Sequence, residues 1–179
     1  NSNEAGGIEI ADYTTASGSR AFAVGTDSQA SGFGSTAMGR GTIASGDDST
    51  ALGANTEASG IGSTAMGDYT TASGSRSTAM GEGSTASGDR STAMGSFAIA
   101  SDYSSTVIGQ FNSSGSSATS ASSFSTSAPA FVIGNGTSAD NRSDALMVLF
   151  DGTTTISGDL SINSDARLKA NIISLGSTL

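Results

Sequence analysis

The chain has 179 residues, among them 36 Ser, 25 Gly, five Met and a single Pro, and it contains no Cys, His or Trp. That composition excludes a disulfide framework, thiolate or imidazole metal sites, a Cys nucleophile and a Ser-His-Asp triad. Seven basic against 16 acidic residues leave a net charge of −9, which repels phosphate backbones and anionic head groups and sets nucleic acid aside as a partner.

Only 35% of residues are hydrophobic and 13% charged. The first figure makes a thick globular core unavailable, and the second is too low for a self-repelling disordered tail. A repetitive chain of small residues is the class that remains. No apolar run approaches the ~20 residues that span a bilayer, and no basic-then-apolar leader is present, so membrane insertion is not expected in this segment. The chain opens on Asn1 rather than Met, which is read as the mark of a fragment or a processed product.

From Thr14 the sequence runs as seven gapless 14-residue units ending at Phe111, such as TEASGIGSTAMGDY and TTASGSRSTAMGEG. An internal period of this kind sets the architecture. Position three of every unit is Ala (Ala16 to Ala100) and position twelve is Gly (Gly25 to Gly109). Each unit splits into x-x-A-S-G and S-T-A-M-G segments, both closed by Gly, and Gly beside a polar pair is turn chemistry. Gly, Ser and Thr at this density disfavour helix. The unit therefore reads strand, turn, strand, turn, and stacked copies make a parallel β-roll rising roughly 4.8 Å per coil.

Alternation assigns the faces. In the second strand, positions nine and eleven carry Thr36 and Met38, Thr50 and Leu52, Thr64 and Met66, Thr78 and Met80, Thr92 and Met94, and Thr106 and Ile108. The same register places Ile8 and Ile10 at those positions ahead of the first unit. Ser and Ala at positions eight and ten point the other way, so the two Ala columns meet inside the roll. An Ala-lined interior recovers little of the 1 to 2 kcal/mol of backbone entropy that each ordered residue costs (about that range). The column of Met38, Leu52, Met66, Met80, Met94 and Ile108 needs a cover, and other copies of the same chain supply one. Ten of the twelve repeat charges fall at turns, as a solvated rim, with Glu57 on the first strand and Asp102 in place of a Gly. Rings gather in turns too; Phe33, Tyr69, Phe97 and Tyr103 are candidate receptor contacts.

These units resemble the YadA-like heads of trimeric autotransporter adhesins, whose coils carry S-x-A-x-G strands in 14-residue repeats. The resemblance implies an all-β, left-handed parallel β-roll in each of three chains packed about one axis, acting as an adhesive or spacing module outside the cell. A glycan or protein receptor is then the expected partner, on a bacterial surface or a virion tail fibre. The head spans residues 1–111 on this reading.

Residues 112–127 are a Ser-rich linker or a degenerate coil, and 128–163 a strand and hairpin neck. Phe131 to Ile133 reads as a strand. Ala145 to Phe150 meets Thr153 to Ser157 through Asp151-Gly152, a two-residue hairpin signal. Its alternating side chains are apolar on both faces. At 164–179 the stretch SDARLKANI resembles the opening of the peptidase S74 intramolecular chaperone of phage tail spikes and fibres. That resemblance implies cleavage of the Ser164-Asp165 bond by a Ser164 and Lys169 pair, a single-turnover event in a chain otherwise expected to be no enzyme. A second reading is an ice-binding solenoid using the Thr36 to Thr106 ladder. No metal or cofactor is expected, since Asp47-Asp48 lies in no calcium-loop spacing.

Overall fold

A computed structural model describes residues 8–10 and 12–159. All regular structure among them is strand. Eight long strands precede residue 112: β1 (Ile8–Ile10), β3 (Phe22–Thr26), β5 (Thr36–Arg40), β7 (Thr50–Ala54), β9 (Thr64–Asp68), β11 (Thr78–Glu82), β13 (Thr92–Ser96) and β15 (Thr106–Gln110). Between them lie seven two-residue strands, from β2 (Thr15–Ala16) through β4 (Gln29–Ala30), β6 (Ile43–Ala44), β8 (Glu57–Ala58), β10 (Thr71–Ala72) and β12 (Thr85–Ala86) to β14 (Ile99–Ala100). Long pairs with long and short with short, always parallel, and always one unit apart: Ala79 opposes Ala93, Met80 opposes Met94 and Ala72 opposes Ala86. The 14-residue unit is thus one coil of a β-solenoid with two sheets. Ile8 and Ile10 pair with Phe22 and Val24, in the expected register.

The interior is what alternation predicts. Ala at positions three and ten is fully buried in every coil up to coil six, and Val107 takes position ten in coil seven. Position eight is buried in each coil, and position one is a fourth inward column, Ser28, Thr42, Thr56, Thr70, Ser84 and Ala98. The long strand continues one residue further than the closing Gly suggests. Gly at position twelve sits within the ladder, opposite the Gly of the next coil, so Arg40, Asp68 and Glu82 end strands rather than occupy turns. The tight corners fall instead at positions seven and fourteen, where Arg20, Asp48, Arg76, Tyr69 and Phe97 have φ between 52° and 61°.

The inward hydroxyls divide by sequence. Where position one is Ser, it donates to the position-twelve carbonyl of its own coil: Ser28 to Gly39 O at 2.9 Å and Ser84 to Gly95 O at 3.1 Å. In those coils and in coil seven the position-eight Ser also finds a carbonyl. Coils three to five have Thr at position one. There Ser49, Thr56, Ser63, Thr70 and Ser77 are buried with no hydrogen-bond partner, and Thr42 is bonded only through Ser28 Oγ. An unpaired buried hydroxyl costs about 1 to 3 kcal/mol. Thr56→Val and Thr70→Val, which keep shape and remove the orphan, are expected to raise stability by about that amount at each site in chemical denaturation at fixed protein concentration. Ser28→Ala, which removes a bonded group, is expected to lower it; a loss in the Val variants would refute this account of the interior.

After Phe111 the coil lengthens. Thr106 pairs in parallel with Phe131, so β16 (Pro129–Asn135) takes the next place in the long sheet after a step of 25 residues. β17 (Asp144–Leu149) and β18 (Thr154–Ile156) extend the same sheet antiparallel. Their connection is longer than two residues. Gly152 N–H closes the turn on Leu149 O at 3.0 Å with φ of 89° at Gly152, and Leu149 N–H donates to Thr153 O. The Thr153 N–H, donating to Asp151 Oδ1 at 2.8 Å, holds that carboxyl below its ordinary value.

Residues 112–127 form no strand but follow the exposed edge of the short sheet. Asn112, fully buried, imitates a peptide group: its Oδ1 accepts from Ile99 N and its Nδ2 donates to Ile99 O, both at 2.8 Å. Asp102 Oδ1 accepts from Thr119 N and Ser120 N, and the Asp144 carboxylate from Ser113 N and Ser114 N. The departure from Gly at Asp102 follows from its place. A Cβ on Gly88 would lie 2.2 Å from Asp102 O of the coil above, whereas no further coil of the repeat stacks on coil seven. The cap thus pairs edge groups that a further coil would have paired, with Ser101 N–H donating to Gly115 O and Tyr103 N–H to Ser120 O besides the Ile99 pair, while Asp102 Oδ2 stays buried and unpaired.

Candidate functional site

The outward face of the long sheet is the dominant surface feature. Its position-eleven row does not stop at Ile108. Pairing carries it through Ile133, Leu146 and Ile156, so Ile10, Val24, Met38, Leu52, Met66, Met80, Met94, Ile108, Ile133, Leu146 and Ile156 hold one place on eleven successive strands. At roughly 4.8 Å per strand the row is about 48 Å long. The adjacent row runs Phe22, Thr36, Thr50, Thr64, Thr78, Thr92, Thr106, Phe131, Val148 and Thr154. Neither row contains a charge. In the single chain both stay partly in water: Met38 is 41% exposed and Ile156 40%, and Leu52, Met66, Met80, Met94, Ile108 and all of β17 are half-buried. The hairpin's contribution escaped sequence reasoning because a 25-residue step and a reversal of strand direction hide the alignment.

The rings do not form one patch. Phe33 and Tyr103 occupy position six, at the edge where short strands turn into long ones; Tyr69 and Phe97 occupy position fourteen, at the opposite edge. Three of the four have intramolecular partners. The Arg20 guanidinium lies 5.3 Å from the Phe33 centroid and that of Arg90 5.1 Å from Tyr103. Phe97 stacks on Phe111 at 4.9 Å with 9° between planes, and Arg142 covers Phe111. Of these four, Tyr69, 64% exposed, is the ring most available to a ligand, while Tyr13, ahead of the first coil, is 84% exposed. Ile61, 59% exposed at position six, is an outward apolar group that the sequence reading passed over.

Turn carboxylates serve the backbone. Asp47 Oδ1 accepts from Phe33 N and Asp89 Oδ1 from Ser75 N, each one coil back and each at 2.9 Å. Among the described residues no three acidic groups converge on a metal position, and no helix is long and apolar enough to cross a membrane. Ser164, Asp165 and Lys169 lie outside the described residues.

Against known families, the model of the YadA head domain repeat, which holds two copies of the unit, matches residues 30–56, 58–84, 72–98 and 86–112. No curated protein matches the chain. With two sheets of 14-residue coils and the Ala and Gly columns in place, these stretches are similar to YadA head domain repeats in both spacing and fold.

Proposed function

We infer that the chain is a module of a homotrimeric surface fibre, in which three copies pack their long-sheet faces about a shared axis and present the roll edges to a glycan or protein receptor. The observation that carries this reading is the uncharged apolar row crossing eleven strands. A surface of that length is covered in a stable protein, and a self-repeating row is matched along its whole length by another copy of itself. YadA heads are trimeric adhesins, which supports three copies and attachment as the role, outside the cell on a bacterial surface or a virion fibre. The Thr ladder suits ice poorly, since it shares its face with the Met row and is bounded at its ends by Phe22 and Phe131.

Sedimentation equilibrium tests assembly directly. The expected mass is three times the 17.4 kDa of one chain, and labelled trimer is expected to bind host cells or arrayed glycans more tightly than any dissociated form. A stable folded monomer would overturn the assembly, and a trimer that binds neither cells nor glycans would overturn the attachment role.

A further inference from the structure

A groove of about 410 Å³ lies between the Ser-rich cap and the hairpin. One wall is aliphatic, made by Pro129, Met147 and Leu149; the floor is hydroxylic, with Ser117 and Thr119. Met147 and Leu149 alternate along β17 with Leu146 and Val148, which belong to the long outward rows. The hairpin is therefore apolar on both faces, and its own roll closes the second only in part, with Met147 packed against the buried core but half-exposed. In a trimer the shared axis covers the first face and leaves the second.

Rotational symmetry about a shared axis parallel to the three rolls brings together only residues at equal height. Ile61 and Tyr69 sit on coil four, three coils or roughly 14 Å below coil seven, which the cap covers. Phe97, 38% exposed, has one ring face taken up by stacking flat on Phe111. Ile156 belongs to the long row. Tyr13 precedes coil one, and Phe33 and Met38 sit on coil two, lower still, with Met38 part of the long row. Of the large exposed apolar side chains described, that leaves Phe124, carried by the cap itself and 60% exposed. Its ring is already oriented, edge-on to Phe150 at 5.1 Å and 63°.

Resting on the trimer reading above, we propose that Phe124 of each copy seats in the cap groove of the next. This is a head-to-tail contact that closes after three copies. A phenyl ring suits the site: its faces meet aliphatic carbon and the Met147 sulfur, and its electropositive edge meets hydroxyl oxygens. The net negative charge of each chain does not oppose the contact, because neither Phe124 nor any groove residue is charged.

The absence of native Cys makes the test clean. A chain carrying both Phe124→Cys and Ser117→Cys is oxidised and run on a denaturing gel, with sedimentation of the same sample. The expected result is a covalent trimer that reverts to single chains on reduction, because disulfides form only when Cα atoms come within about 4.4 to 6.8 Å. Refolding a mixture of the two single variants is expected to give covalent dimers and nothing larger. Single chains on the gel from a sample that sediments as a trimer would overturn this contact and leave the trimer standing. Sedimentation as a folded monomer would overturn both. Independently, Phe124→Ala is expected to raise the concentration at which trimers dissociate by about a hundredfold, with Phe124→Leu intermediate. Equal dissociation in all three proteins would also refute the contact.

Discussion

Gly67→Ala is expected to abolish the folded roll, or to lower its stability by at least about 3 kcal/mol, while Gly62→Ala five residues earlier costs about 1 kcal/mol. The two glycines look alike in sequence and differ in what surrounds them. Gly67 has φ of +123°, and a Cβ there would lie 1.9 Å from the carbonyl oxygen of Gly81 and 2.9 Å from its carbon. Those atoms are backbone in the ladder of the next coil, so no side-chain rotation relieves the overlap. Coils four and five would have to part. Gly62 has φ of +64°, and its added Cβ would meet only Arg76 Cγ at 3.7 Å. Its position is occupied in other coils by Arg20, Asp48, Arg76 and Arg90 at φ of 54° to 61°. Far-ultraviolet circular dichroism through a urea titration separates the cases. Equal midpoints for the two variants would show that the glycine row is not held by the close approach of neighbouring coils.

This contrast also marks where sequence reasoning stops. The constant Gly at position twelve was legible as a requirement, but its reason was misplaced: Gly67 was expected to end a strand and instead lies inside one, opposite Gly81. Period and alternation were enough to place the Ala columns inward and Met66 and Met80 outward, because each coil repeats the same choice seven times. Features that occur once carry no such redundancy. Nothing local to Asn112 says that its amide will stand in for a strand against Ile99, and nothing near Asp102 announces bonds from Thr119 and Ser120. The alignment of Leu146 and Ile156 with the Met row fails to show for the same reason: it depends on the length of the cap, not on a spacing. The candidate rings were found by type, but whether a ring is free or covered depends on an Arg one coil away, as with Arg20 over Phe33.

The apolar row itself is tested most severely by charge. Met66→Asp combined with Met80→Asp is expected to convert a trimer into single chains, or to prevent folding altogether, while Met66→Leu with Met80→Leu leaves the trimer intact. Leu52 already occupies the same column between Met38 and Met66, so the row accepts Leu without loss of register. Each Met given up forfeits about 1.5 to 3 kcal/mol of burial per chain. Each Asp placed on the shared axis also faces two copies of itself across a medium without counter-charge, a desolvation and repulsion cost of several kcal/mol per ion. The roll contributes little to offset this, since its interior is Ala and hydroxyl, with Val107 and Val132 the only larger buried apolar groups among the described residues. Separation of the chains and loss of structure should therefore occur together as the protein is diluted, with the Leu pair tracking the unsubstituted protein. The decisive readout is sedimentation against dichroism over a hundredfold range of concentration. An Asp pair that remains trimeric with an unchanged urea midpoint would mean that the row faces solvent in the assembled fibre, and the packing of three long sheets about one axis would have to be abandoned.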